Sequence, residues 1–517
     1  MSLPPFPANY RASGVLLHVT SLPSPYGIGD VGPSAIAWID RLHQAGQTYW
    51  QALPLGPTGY GDSPYQALSS FAGNALLVSP DWLIEDGLIR AGDCADRSFP
   101  ATKVDFDTVE RFKRSLLEAA WRNFSAGVRA DLRPGFEEFG QTQAHWLDDY
   151  ALFRALKERH GGAPYLEWPA ELVQRTPAAL DRARRDLARE VDQVRFSQFL
   201  LFRQGARLKE HARARGVRLI GDLPFFVSPD SSDVWANPEL FLLDDQRRPR
   251  VVAGVPPDYF SAQGQLWGNP IYDWDALSSR GYGFCIDRVR ALLAHVDAIR
   301  LDHFRGFAAA WHVPFAAPTA QTGEWKPGPG ARFFNALQRE LGGLPFFAED
   351  LGIITPEVSA LRDEFHLPGT RVLQFAFAQP NSPHLPHCFD PETVVYTGTH
   401  DNDTARGWYE HALAAEREAI ASYLGVRDAG DVAWSLIRAA YTSVAEMAIV
   451  PVQDVLNLGK EARMNQPGSA EGNWRWRSTD ELLAAPAFQS LQELTRASAR
   501  AADAQRTPTG SSIAAAS

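Results

Sequence analysis

Four acidic residues stand at the ends of short apolar, β-rich runs: Asp222 in IGDLPFF, Asp302 in IRLDHFRGF, Glu349 in FFAEDLG and Asp401 in GTHDND. One such acid would mean little, because polar residues at strand ends often cap the next helix. Several on one rim mean more, since like charges held together destabilise a fold. Arg300 lies two residues before Asp302, so on a strand both side chains leave the same face. A guanidinium there favours the ionised carboxylate, which suits a nucleophile. An Arg–Asp pair that merely closes the strand end would have the same spacing. Glu349 follows Phe346, Phe347 and Ala348. An apolar setting raises a carboxyl pKa and suits a general acid. Asp350 is a rival by adjacency, and strand parity does not choose between them. Asp401 and Asp403 could serve as metal ligands, but the DxDxDG spacing is absent, and no metal is expected.

Two carboxylates with opposed protonation demands are what glycoside bond chemistry requires. Residues that could hold sugars lie nearby in predicted loops. Tyr60, Tyr65, Tyr259, Phe260, Trp267, Trp474 and Trp476 offer apolar faces on which a pyranose can stack. His18, His303, His400, Asn465 and Asn473 could bond hydroxyls. A single loop aromatic is more often a packing residue. The density in loops 57–65, 256–274 and 463–477 shifts the balance towards a groove.

Something must bring these acids together. Eight short apolar runs read as strands: 14–22, 49–55, 217–227, 296–301, 344–348, 370–377, 393–398 and 445–452. Between many of them lie segments of helical periodicity, at 34–44, 194–215, 286–295, 332–341, 357–365, 405–424 and 432–443. Eight alternating units predict an α/β fold, a (β/α)8 TIM barrel whose catalytic groups sit at the carboxyl ends of the strands. An open doubly wound sheet is the competitor, but no GxGxxG turn follows the first strand. The spacing is uneven. A helical insertion is expected over about 57–215, with helices at 109–123, 146–159 and 180–194. A loop-rich insertion over the groove is expected at about 228–282. The chain reads as one catalytic domain over 1–500 with a frayed tail at 501–517, the ordered body ending near Thr495. No further run of strands remains for a C-terminal β-sandwich.

Composition narrows the partners. The net charge is −11, 45% of residues are hydrophobic and 21% charged, which excludes a disordered or collagen-like chain. The acidic balance argues against nucleic acid or an anionic membrane as partner. Cys94, Cys285 and Cys388 form no CxxC pair, so a reducing compartment is expected. No signal pattern or 18-residue apolar run is found, and the expected location is the cytoplasm.

The motifs themselves are familiar. LLHVTSLPSPYGIGD (16–30), YWQALPLGPTGYGDSPYQ (49–66), GDLPFFVSPDSSDVWANPELF (221–241), GVPPDYFSAQGQLWGNPIYDW (254–274), IRLDHFRGF (299–307), FFAEDLG (346–352), GTHDNDT (398–404) and VPVQDVLNLGKEARMNQPGSAEGNWRWR (450–477) closely resemble those of glycoside hydrolase family 77. These are the 4-α-glucanotransferases, also called amylomaltases or disproportionating enzymes. The resemblance covers about residues 13–477. It implies Asp302 as nucleophile, Glu349 rather than Asp350 as acid/base, and Asp401 as transition-state stabiliser. It implies substrate contacts at Arg300, His400, Asp222, Ser63 and Tyr65, and a mobile cover carrying Tyr259 and Trp267. Tyr60 matches a loop bordering a secondary glucan contact.

The implied activity is transfer of a segment of an α-1,4-glucan to the 4-hydroxyl of another glucan or of glucose. Configuration is retained through a covalent β-glucosyl-aspartate, and cyclic glucans are a further possible product. Partners would be α-1,4-glucans, maltooligosaccharides and glucose, acting on a monomer. No cofactor is expected, since carboxylate chemistry needs none. An α-1,4-glucan hydrolase using the same acids, and a catalytically silent glucan-binding scaffold, are the rival readings. Retention of a nucleophile at Asp302 argues against the scaffold.

Overall fold

A computed structural model describes residues 4, 6–7, 9–95, 98–257, 262–469 and 471–501. Among the described residues, twelve strands occur in two sheets. In chain order they are β1 (Ala12–Leu16), β2 (Tyr49–Gln51), β3 (Arg218–Leu223), β4 (Val251–Val255), β5 (Gln265–Pro270) and β6 (Ala298–Leu301). They continue with β7 (Ala309–Pro314), β8 (Glu324–Pro327), β9 (Phe346–Ala348), β10 (Gly369–Val372), β11 (Thr393–Tyr396) and β12 (Met447–Pro451). Eight of them pair in parallel in the order β10-β11-β12-β1-β2-β3-β6-β9. The remaining seam closes through the Ala348 N–H donating to the Pro368 carbonyl at 2.8 Å and the Thr370 hydroxyl donating to the Ala348 carbonyl at 2.8 Å. The result is the expected (β/α)8 barrel, each of its strands falling within or overlapping an apolar run of the sequence.

Parallel barrel strands are covered on both faces, so they read as continuous apolar runs. β11 and β12 are buried at every position. Where β1 meets β2, Gly14 pairs with Tyr49, and a Cβ at position 14 would lie 2.7 Å from the Tyr49 Cβ. Only glycine permits that approach.

The outer helices follow the sequence with three differences. The expected helix 405–424 is two, Ala405–His411 and Ala414–Leu424, because Leu413 takes an extended conformation and leaves the helical path. The expected 180–194 helix breaks at Leu187 into Pro177–Asp186 and the long Ala188–Ala214. Between β2 and β3 an additional helix, Arg133–Thr142, joins Phe106–Ser125 and Ala144–Arg159. These pack through rings such as Phe124 and Phe196, stacked at 4.4 Å. A buried ion pair, Lys113 to Asp30 at 3.2 Å, ties this bundle to the loop after β1.

The segment expected to be loop-rich is in part a sheet. β4 and β5 come from it, β7 and β8 come from the loop after β6, and the four form an antiparallel sheet in the order β5-β4-β7-β8. Each strand has only four to six residues. The central β4–β7 ladder joins segments from two different loops. No local hairpin signal marks it.

The ordered body also runs past Thr495. Arg500 is fully buried and donates to the carbonyls of Ala12, Tyr441, Ser443, Ala445 and Glu446. It stitches β1 to the chain entering β12 at the bottom of the barrel. Charge-assisted bonds of this kind are costly to lose when the acceptors stay buried. Arg500→Ala is therefore expected to lower unfolding stability by about 3 kcal/mol or more, read as a shift of the urea midpoint. A midpoint equal to that of the parent would show that these bonds do not hold the seam.

Candidate active site

Register builds the site. Asp222 on β3 is the direct neighbour of Arg300 on β6, which in turn neighbours Phe347 on β9. Arg300 and Asp222 therefore lie side by side at one level of the barrel. Arg300 Nη1 reaches Asp222 Oδ1 at 2.9 Å and Oδ2 at 2.7 Å, and also Asp302 Oδ1 at 3.0 Å. Its Nη2 lies 4.0 Å from Glu349 Oε2. One guanidinium thus serves three carboxylates on adjacent strand ends.

Glu349 is held by the backbone. Its Oε2 accepts the His303 N–H at 2.8 Å and its Oε1 the Leu351 N–H at 3.0 Å. His303 has φ 50°, a left-handed conformation that is costly for a side-chain-bearing residue. Asp350 points elsewhere, fixed by Arg362 at 2.5 Å and by the Thr370 N–H at 2.6 Å. Of the two adjacent acids, Glu349 is the one that comes near Arg300.

Asp401 lies in the loop after β11. Its Oδ1 accepts from Asn465 Nδ2 at 2.6 Å and stands 3.3 Å from His400 Nε2. Arg463, which sequence reasoning missed, donates to the Asp401 carbonyl at 2.8 Å and to the Asn465 carbonyl at 2.7 Å. Its spacing of two from Asn465 was the available signal.

The Tyr65 hydroxyl donates to Asp222 Oδ2 at 2.8 Å, and its ring stacks on His400 at 5.1 Å. Trp474 leans on both rings. Ser63 Oγ accepts the Tyr65 N–H at 3.2 Å and so shapes that turn. Asp222 is only 1% exposed, with both oxygens engaged. It positions Arg300 and Tyr65 and offers a sugar no open face.

Other expected contacts sit differently. The His303 ring is packed against Trp267 at 4.8 Å and against Phe225 and Phe226. Trp267 stands on β5, not in a loop. His18 is buried, its Nδ1 accepting the Leu53 N–H. Asn473 spends its amide on the backbone of Gln466 and Ser469, closing its own loop. Tyr60 is 80% exposed on a turn that Asp62 ties to Arg475. Tyr259 and Phe260 lie outside the described residues. Among the described residues no group of three or more His, Cys, Asp or Glu could hold a metal ion.

The electrostatics depart from the sequence expectation in one respect. Arg300 was expected to keep Asp302 readily ionised. Burial outweighs it: the Asp302 carboxyl is pushed up to about 7 by burial, opposed by Arg300, with Asp222 and Asp401 adding to the rise. Glu349 is pushed up to about 8 by burial, opposed by Arg300, with the charge of Asp302 adding to the rise. Both carboxyls are raised for the same reason, and two like charges beside one guanidinium oppose each other, so the pair keeps one proton after losing the other. The two titrate as a coupled pair. Burial lowers the His303 imidazole to about 3, with Arg305 contributing, and also lowers His400.

A closed (β/α)8 barrel with interlocked carboxylates at its strand ends defines a sugar-processing barrel of the glycoside hydrolase kind. A family model described as 4-alpha-glucanotransferase, glycoside hydrolase family 77, matches residues 17–482. The chain is 50% identical over 475 residues to a 4-alpha-glucanotransferase of Thermus thermophilus, covering 90% of this chain and 94% of the relative. It is 49% identical to one of Synechocystis, with the same coverage. An amylomaltase from Streptococcus agalactiae, solved in complex with acarbose, superposes with a TM-score of 0.92 at 37% identity, covering 95% of this chain and all of that one. The chain belongs to glycoside hydrolase family 77. Among the described residues, no helix is long and apolar enough to cross a membrane.

A raised carboxyl pKa has a stability consequence. Below the unfolded value near 4, folded and unfolded chains are both protonated and the group contributes nothing. As pH rises towards about 7, the unfolded chain releases the Asp302 proton while the folded one holds it, so stability falls. Asn cannot release a proton, and Arg300 keeps Asp222. Asp302→Asn is thus expected to melt higher than the parent, the gap growing between about pH 4 and pH 7 and levelling off above. Melting curves across that range check it, and a gap independent of pH would contradict the burial argument.

Proposed function

We propose that this protein is a retaining 4-α-glucanotransferase working through Asp302, Glu349 and Asp401. The observation that carries the reading is the carboxylate pair: Asp302 and Glu349 on one rim, both reached by Arg300, at 3.0 Å and 4.0 Å. Ionised Asp302 attacks the anomeric carbon of an α-1,4-glucan. The glycosidic C–O bond breaks, and Glu349 gives its proton to the departing 4-oxygen. A β-glucosyl ester on Asp302 results. The 4-hydroxyl of a second glucan, or of glucose, then attacks the same carbon. The ester bond breaks and the hydroxyl proton passes to Glu349. Two inversions leave the α configuration.

The transition state has oxocarbenium character. Asp401, oriented by Asn465, stabilises it electrostatically together with Asp302. Arg300 holds Asp302 in line, and Tyr65 with His400 forms an aromatic wall against the donor sugar. Transfer rather than hydrolysis requires that an acceptor sugar outcompete water. Trp267 on β5, packed against His303, is assigned that task. Acceptors are maltooligosaccharides and glucose, cyclic glucans are a further product, and the protein acts as a cytoplasmic monomer. The names of the relatives support this reading.

Four measurements test it. Incubated with maltotriose, the protein should yield glucose and longer oligomers at constant total reducing ends; rising reducing ends would make it a hydrolase. Glu349→Gln should lose about 10²–10⁴-fold in turnover, and an unchanged rate would remove Glu349 from the mechanism. The pH profile follows from the required states. Activity needs Asp302 ionised and Glu349 protonated, so it should rise with the pair's first proton loss and fall with its second, both limbs lying above the ordinary carboxylate range. With an α-maltosyl fluoride donor, whose leaving group needs no proton, the burst of fluoride release should keep the acid limb and lose the alkaline one. A burst that kept both limbs would separate the alkaline limb from Glu349.

A further inference from the structure

Arg305, three residues beyond Asp302, is an arginine without an acid. It is 7% exposed and no carboxylate pairs with it among the described residues. Its guanidinium lies 3.7 Å above the Trp325 ring of β8, its Nη1 donates to the Ile353 carbonyl, and its Nε has no hydrogen-bond partner. Burying an arginine this way is unfavourable, and a purely structural residue at the site would be better apolar. What it holds is informative. Ile353 belongs to the loop after β9, which begins at Glu349 itself.

That loop is held by side chains rather than by its backbone, Leu351 and Ile354 packing against the core. Among the described residues, 351–354 make no backbone–backbone hydrogen bond. Gly352 takes φ +82° with open space around it. Ile353 is half exposed. Yet the Leu351 N–H, within this loop, is one of the two backbone donors that fix the Glu349 carboxylate. The other donor, the His303 N–H, comes from the same turn that carries Arg305. The turn 303–307 therefore holds Glu349 twice: directly through His303, and at a distance through Arg305, Ile353 and Leu351.

We propose that Arg305, seated on Trp325, is a positioning residue for the acid/base: it pins the 349–354 loop so that the Leu351 N–H aims at Glu349. The inference rests on the functional reading above. Its contribution is to proton transfer rather than to sugar binding. Without the pin, Glu349 loses a donor to its ionised form. A carboxylate that loses such a donor binds its proton more tightly. The groups facing Glu349 that remain are Arg300, Asp302 and, farther off, Tyr396.

The test compares two donors. In Arg305→Met, kcat for maltotriose disproportionation should fall about 10–100-fold, the scale of a misplaced catalytic group, with KM changed less than about threefold. The α-maltosyl fluoride burst, which needs no acid, should change less than about threefold, and the alkaline limb of the maltotriose profile should move to higher pH. Trp325→Leu, which leaves Arg305 but removes its seat, should give the same split more weakly and serves if the methionine variant does not fold. Equal losses on both donors, or an unmoved alkaline limb, would make Arg305 merely structural and overturn the proposal. The parent protein fixes the frame. If it failed to disproportionate maltotriose, the functional reading itself would fall.

Discussion

A single guanidinium has to balance more negative charge than it carries. Arg300 touches Asp222 and Asp302 and comes within 4.0 Å of Glu349, while itself nearly buried. With one positive charge among three carboxyls at low dielectric, at least one must stay protonated near neutral pH. Asp222 takes the closest, two-oxygen contact and a further bond from Tyr65. Asp302 gets one contact, and Glu349 the most distant. The gradient of proximity makes the two outer carboxyls, Asp302 and Glu349, unequal partners of the same charge. The barrel supplies it through register, since Asp222, Arg300 and Phe347 stand in one row across β3, β6 and β9.

The barrel was legible because its strands are covered on both faces. Runs such as TVVY and MAIVP need no alternation to be recognised. The cover sheet was not legible, because VVAGV must find AAWHVP across an intervening segment, and short antiparallel strands joined at a distance leave no local mark. Among the site residues, those at strand ends could be read from position: Asp302 needed only the end of an apolar run, while Glu349 shared that place with Asp350 and only the family resemblance chose between them. Those that act through tertiary contact could not. Nothing in GDLPFF reveals that Asp222 is sealed by Tyr65, and nothing in the Asn473 context shows its amide turned inward on Gln466. The break at Leu413 was equally hidden, since Ala and Glu on both sides favour continuing a helix.

Stiff and yielding parts are distributed unevenly. The acids rest on strand ends and on backbone donors. The segments after β3 and β6 build a four-stranded sheet attached through ring contacts, Trp267 on His303 and Trp325 on Arg305. Precise placement is needed where bonds change, and tolerance is needed where chains of different length must enter. The two meet at the turn 303–307, which touches both.

Arg500 carries a consequence for how the polypeptide is made. Its bonds reach Ala12, near the start of the chain, and Ala445 and Glu446, at the entrance of β12. β1 must therefore wait for one of its two neighbours, and for the arginine that locks them, until residues 445–500 have left the ribosome. A nascent chain emerging from its N-terminus leaves the edge of β1 unpaired for most of synthesis, which makes that edge the natural place for a chaperone to bind or for two growing chains to pair by mistake.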